Sequence, residues 1–486
     1  VAYKGKLIKN VNKFFIVTIS IIVLLAVGFM GFRFYKRLDK QKSQNINPQN
    51  YTQNAPSGKF SPYADLKFTK DYFPGTTDKN GVFMGGTETV KLVPYLGKLY
   101  AGIGYWNDND AKSDPNPGAQ VLVKDSATAP WRVEKSFGSE YVRTDALTPV
   151  TFTTDKNGKK LKPSVTMLLA GVSDGVVPQA IVWGKEGPAG EWIKMVVRED
   201  DGKTKMEESY VRIIFDHVDK VTGVHAVFAG VTKSALYRGV YDPDVPGKIL
   251  WDKTPELTGS KRMMASAELS GDQYVTMSTN GNPNDQDGGL FKRIDGKTPR
   301  WEFIYEWIAD AVAGAGLRGL TPVVDHANNK NMVLIGALET GIIQKIDPAK
   351  NNAVTEEINL KNYFEQKWGS LGGNVALPAY NDMTPVRDFK TGESLHLIGI
   401  WINHPDKTKN GAWYLVRHQD GTYIDGYVYD INNPVPEGKS LRAVRTIIAS
   451  PFPEEKDKVF YFGGFDAGGR PIDKHNAAWI YKGTLK

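Results

Sequence analysis

"KLYAGIGYW", residues 98–106, is an apolar run that closes on two glycines and an aromatic pair. It returns six times in altered form: "TMLLAGVSDG" (166–175), "HAVFAGVTKS" (225–234), "QYVTMSTNG" (273–281), "NMVLIGALETG" (331–341), "LHLIGIWINH" (395–404) and "VFYFGGFDAGG" (459–469). Apolar runs this short, bounded by glycine, are the pattern of strands buried on both faces. A second run of the same stamp follows each copy, as in "GAQVLVKD" (118–125), "ALYRGVYD" (235–242) and "NAAWIYKG" (476–483). A third often opens on an aromatic, as in "WRVEKSF" and "EWIKMVV". An apolar run precedes each copy, and three of these share a triplet: Thr148-Pro149-Val150, Thr321-Pro322-Val323 and Thr384-Pro385-Val386.

Four strands recurring seven times, at spacings of roughly 50–70 residues, predict an all-β, seven-bladed β-propeller over residues 59–486. Six or eight blades stay open, and a β-sandwich pair or a β-helix is the alternative architecture. Small residues at "AG" and "GG" mark where neighbouring sheets crowd together. The last blade stops at Lys486 after three strands, and "KFSPYADLKFTKDYF" (59–73) is left to supply the fourth and close the ring. "WEFIYEWIADAVAGAG" (301–316) has room for one short helix or turn.

The repeated rhythm of "LYAG", glycine and a later tryptophan resembles the β-propeller superfold, in particular sialidase-like and kelch-like blades. The sialidase Asp-box is not intact: "SDGVVPQAIVW" and "DQDGGLFKRIDGKTPRW" come near it and miss. The resemblance therefore implies a fold and carries over no catalytic residue.

The N-terminus reads differently. After a short basic tail (1–13), Phe14 to Phe32 is an uncharged run of 19 residues, enough to cross a hydrocarbon core of about 30 Å as a helix. No small-residue cleavage site follows it, so a retained single transmembrane helix is expected rather than a cleaved signal peptide. Lysines and arginines flank the run on both sides, so the positive-inside rule does not choose an orientation. A short tail, one span and a large C-terminal domain is the plan of a signal anchor, which places the propeller outside the cytoplasm. Residues 33–58 run into a polar, Asn/Gln-rich stretch expected to be a tether.

Residues 1–58 hold nine Lys/Arg and one acid, so the formal charge of +7 leaves the remainder close to −1. The basicity belongs beside anionic headgroups, and the near-neutral domain lacks the footprint of a nucleic-acid binder. Absence of cysteine excludes disulfides, thiolate metal sites and a lipoprotein anchor. Together these features point to a bacterial inner-membrane protein whose domain lies in the periplasm.

Three sets of side chains are candidates for chemistry. Arg143, Arg262, Arg318 and Arg442, with Arg212 and Lys91 at matching places and Asp382 in the sixth blade, enter the innermost strands and are expected at the channel mouth. Guanidinium groups converging there suit a carboxylate or phosphate; pairing with local acids such as Asp145 is the structural alternative. Asp108, Asp110 and Asp114 in "NDNDAKSD" alternate oxygen donors in a manner open to Ca²⁺, without the full calcium-loop pattern. His404 with Asp406, and His475 with Asp473, are loop pairs with the makings of a general base. No nucleophile elbow, zinc signature or phosphate loop is present.

Two readings follow. The first is a membrane-anchored propeller that binds envelope proteins or an anionic small molecule or glycan, as a scaffold or a subunit of a membrane complex. The second is a membrane-anchored carbohydrate-active hydrolase or lyase, served by paired carboxylates and by aromatic side chains such as Trp106 and Trp401.

Overall fold

The computed structural model describes residues 61–105, 117–174, 178–200, 209–232, 235–259, 262–278, 289–305, 316–326, 331–372, 376–378, 382–406, 409–430, 441–465 and 476–486, with Val176, Gly202 and Asn432 besides. The chain divides into two compact units, 1–53 and 54–486. The expected membrane span and the whole of the expected tether lie outside the described residues. Among the described residues no helix is long and apolar enough to cross a membrane.

The second unit is a propeller-like, all-β fold built from four-stranded antiparallel meanders. The first runs Glu88–Tyr95, Lys98–Gly104, Gln120–Lys124, Arg132–Ser136. The second runs Tyr141–Thr154, Lys160–Asp174, Ala180–Glu186, Trp192–Arg198. The third is Val211–Val218, His225–Val231, Ala235–Tyr241, Ile249–Trp251, and the fourth Arg262–Leu269, Asp272–Ser278, Gly289–Ile294, Arg300–Tyr305. The fifth is Leu317–Asp325, Asn331–Leu338, Ile342–Asp347, Ala353–Asn359. In the sixth, a first strand broken into Ala376–Pro378 and Thr384–Arg387 pairs with Ser394–Ile402, followed by Gly411–Arg417 and Tyr423–Tyr427. Ala443–Ala449, Val459–Phe465 and Ala478–Thr484 begin a further meander, and its fourth strand is Lys67–Tyr72. The second strands are the quoted repeat. His225–Val231 and Val459–Phe465 are buried at every position, which is why their sequences lack polar alternation.

The first strand of each meander is its inner edge, and six of them carry a β-bulge at the same register. Thr89 and Lys91 oppose consecutive partners and leave Val90 out of the ladder; Asp145, Arg212, Met264, Arg318 and Arg445 are left out in the same way. In the sixth meander the strand simply breaks there. Across from the residue after the bulge stands the small residue of the repeat, such as Gly102, Gly171, Gly230 and Gly463. Its smallness is a matter of space. A Cβ on Gly171 would come within 2.8 Å of Val211 in the next meander, and one on Gly230 within 2.7 Å of Met263. A Cβ on Gly399 would run into the backbone carbonyl of Val444. The fourth meander uses Thr276 here, whose hydroxyl donates to the Leu317 carbonyl at 3.4 Å.

The Thr-Pro-Val triplet has a structural job. Thr148 donates its hydroxyl to the Ile214 carbonyl at 3.0 Å and Thr384 to that of Ile447 at 2.5 Å, each joining one inner strand to the next. Thr321 accepts from the Met383 amide at 2.8 Å across the seam between the fifth and sixth. The prolines lack an N–H, and they sit on strands that are edges on their inner side.

Lys67–Tyr72 lies antiparallel to Ala478–Thr484, with Lys67 opposite Thr484. Phe68 packs edge-on to Phe462 with centroids 5.1 Å apart, and Tyr63, Leu66, Phe68 and Tyr72 are buried. A helix occurs at Leu360–Trp368, capped by the Asn359 side chain, which accepts from the Asn362 amide at 3.1 Å. In the stretch with room for a short helix or turn, Arg300–Tyr305 is the fourth strand of its meander, and 306–315 lie outside the described residues.

Candidate functional site

The inner strands of all the meanders surround one cavity of about 390 Å³. Lys91, Asp145, Arg212, Met264, Arg318, Asp382 and Arg445 line it, and apart from Lys91 and Asp382 each is a bulge residue. The geometry explains the chemistry. A bulged residue leaves the ladder and its side chain is re-aimed off the strict in–out alternation of a strand. Repeating the bulge at one level brings these side chains together from strands far apart in sequence. Further along the strands the lining changes to Val93, Thr148, Ile214, Ser266, Thr384 and Ile448. The cavity therefore has a charged level and a level of hydroxyls and aliphatics.

Salt bridges tie the charged level together. Glu88, fully buried, accepts from Arg143 and, at 2.5 Å, from Arg445. Asp145 accepts from Arg143 at 2.5 Å, from Arg212 at 2.8 Å and from the Ser173 hydroxyl. Arg318 pairs with Glu339 and donates to the Pro378 carbonyl at 3.2 Å. Lys91 and Asp382 stand 3.8 Å apart, their side chains 34% and 45% exposed, so this pair is open to water. Burial works to raise the Asp145 carboxyl, and the guanidinium groups of Arg143 and Arg212 outweigh it and hold the acid below its ordinary value. Among the described residues these contacts set Lys91 and the four arginines against Glu88, Asp145, Glu339 and Asp382. Carboxylates thus supply most of the compensation that a ring of arginines requires.

Of the four arginines expected at a channel mouth, Arg318 lines the cavity. Arg143 lies just behind it, buried between Glu88 and Asp145. Arg262 opens its strand with an exposed side chain, and Arg442 directly precedes Ala443–Ala449, its amide donating to Phe465 at 3.1 Å. Arg212, Lys91 and Asp382 stand at the cavity as their register requires. Arg445 and Met264 escaped the sequence reading, three and two residues beyond Arg442 and Arg262. Only the bulge marks them, and a bulge has no residue signature of its own.

His404 is buried, its ring edge-on to Trp368 at 5.8 Å, and its Nδ1 accepts from the backbone amide of Asp406 at 3.0 Å. That nitrogen closes a turn. Asp473, His475, Asp108, Asp110 and Asp114 lie outside the described residues. Among the described residues no group of three or more His, Asp or Glu side chains is arranged to hold a metal ion.

No family model matches the chain, and no curated protein matches it. Solved structures of similar shape include the alpha-L-arabinofuranosidase of Fusarium graminearum bound to an iminosugar inhibitor, at 10% identity over 86% of this chain and 98% of that one, with a TM-score of 0.42. BBS1N in complex with ARL6DN is similar at 10% identity over 86% and 98%, again with a TM-score of 0.42. One of these neighbours is a glycosidase and the other is seen bound to a protein.

Proposed function

We propose that residues 59–486 form a seven-bladed β-propeller, carried by the Phe14–Phe32 span on the extracytoplasmic side of a bacterial inner membrane, that binds a small anionic ligand in its axial cavity. The observation that carries this reading is the repeated bulge, which turns Arg212, Arg318 and Arg445 toward a cavity of about 390 Å³. That volume is in the range of small-molecule sites, roughly 300–1,000 Å³. Arginine presents a planar fork to carboxylate or phosphate. Because carboxylates already balance most of the cationic charge, affinity is expected to be modest and selective for shape. A protein partner held by the same face belongs to the same reading.

The hydrolase reading is less well served. A glycosidase needs one carboxyl kept protonated near neutral pH beside an ionised one. The cavity acid Asp145 is held ionised. Among the described residues, the carboxyls that burial pushes up are Glu356 and Glu357, on the outermost strand of the fifth meander.

A thermal-shift screen of phosphate, sulfate, citrate and uronate tests the proposal. At least one anion is expected to raise the melting temperature through mass action, and Arg318→Ala or Arg445→Ala to remove the shift. Identical shifts in the parent and both variants contradict the axial site.

A further inference from the structure

The second meander differs from the others at the end opposite the bulge. Past its bulge the inner strand runs nine residues, Ala146 to Thr154, where the other bulged strands run four to seven. With the facing strand from Lys160 it forms a hairpin that projects roughly 7 Å or more beyond its neighbours. One face of this hairpin is fastened. Phe152 packs on Tyr241 at 5.7 Å and on His225 at 5.4 Å, and Leu161 and Val165 join the same cluster. Lys156 pairs with Asp242 at 2.9 Å and with Asp244, on the side of the third meander. Asp155 is buried and closes the turn by accepting from the amides of Asn157 and Lys159 at 2.8 and 2.9 Å.

Lys159, Lys160 and Lys162 are exposed, and among the described residues none of the three makes an ion pair. Leu161 between them packs into the cluster beside the third meander, whereas Lys160 and Lys162 stay exposed. The first described strand of the unit also begins at this end of the sheets. Lys67 begins its strand beside Thr484, which is opposite Val459, just after the hairpin turn of that meander. The projecting lysines and the start of Lys67–Tyr72 are thus at one end of the sheets, with the charged level of the cavity at the other.

We infer that this hairpin is a contact for anionic lipid headgroups, made by Lys159, Lys160 and Lys162. The inference rests on the membrane-anchored reading of the function. Lysines with no aromatic neighbour or shaped pocket are strongly hydrated point charges, suited to a diffuse array of headgroups more than to one bidentate ligand. Near an anionic surface each is worth about a fivefold gain in partition, on the order of a hundredfold for three. That is too weak to recruit a free protein and enough to bias a tethered one, whose local concentration is already high. The attraction is screened over about 8 Å at physiological salt.

The chain has no cysteine, so a single Asn157→Cys carries one environment-sensitive dye on the full-length protein. Reconstituted in nanodiscs with phosphatidylglycerol, the dye is expected to be quenched by headgroup-labelled lipid. Quenching should fall severalfold in phosphatidylcholine discs, at 0.5 M salt, and in the variant with Lys159→Glu, Lys160→Glu and Lys162→Glu. The salt arm uses unchanged lysines and is independent of how that variant folds. Equal quenching in anionic and neutral discs overturns the hairpin contact alone. Protein that fails to co-elute with discs overturns the anchor, and the contact with it.

Discussion

The second and the closing meanders share a four-stranded plan and differ in where the fourth strand originates. In the second, Trp192–Arg198 follows Ala180–Glu186 through a short turn. In the closing one, Lys67–Tyr72 comes from the far end of the unit to lie beside Ala478–Thr484. The first arrangement forms from local contacts, whereas the second must close a loop over almost the whole unit before it gains anything. Closure is therefore where the unit is most exposed to failure. It is also where Glu88 of the first meander receives Arg445 of the last, and where the Leu92 amide reaches the Thr446 hydroxyl at 3.1 Å.

Removing residues 61–73 breaks the comparison most severely. Tyr63, Leu66, Phe68 and Tyr72 are buried, and at about 1.5–3 kcal/mol for each large side chain the loss approaches the net stability of a typical domain, about 5–15 kcal/mol. The deletion is expected to yield no cooperative thermal transition. Removing Trp192–Arg198, the equivalent outer strand of the second meander, should leave a lower but cooperative transition. Equal behaviour of the two deletions contradicts the asymmetry.

Glu88→Ala leaves two buried guanidinium groups without their shared acceptor, and loss of one partner of a buried pair costs about 3–5 kcal/mol. Urea denaturation should show a clear fall in midpoint. The exposed pair Lys91–Asp382 supplies the control, since Asp382→Asn should cost below about 1 kcal/mol.

His396 offers a pH test away from the closure. Burial, with the Arg417 charge beside it, lowers its pKa from 6.5 to about 4. The unfolded chain thus binds a proton between these values that the folded chain refuses, so stability falls as pH drops from about 6.5 toward 4. The full effect is about 3 kcal/mol. Melting temperatures at pH 7.5 and 5 should diverge in the parent, and the divergence should shrink in His396→Gln. The smallest effect is expected at the seams: Thr148→Val and Thr384→Val each lose one hydrogen bond, about 1 kcal/mol.

Much of this fold is written in the repeat. The four-strand rhythm and the crowding of glycine against the next meander both follow from the apolar runs. The cavity was legible only in part. Its floor plan depends on a bulge, and the bulge positions hold three arginines (Arg212, Arg318 and Arg445) beside Val90, Asp145 and Met264, with no residue type common to all. Counting from the start of a run selects Arg442 and Arg262, whereas the backbone selects Arg445 and Met264. The acids that quiet the arginines were equally hidden. Glu88 belongs to the first meander and serves the second and the last, a relation visible only once the strands are side by side.

The central claim is that the bulged strands aim their arginines at one anion. Diffraction from crystals soaked in selenate tests it without reference to stability or activity. An anomalous peak is expected in the axial cavity, within hydrogen-bond distance of at least two of Arg212, Arg318 and Arg445. Peaks confined to the outer surface, with the cavity holding water alone, would contradict it.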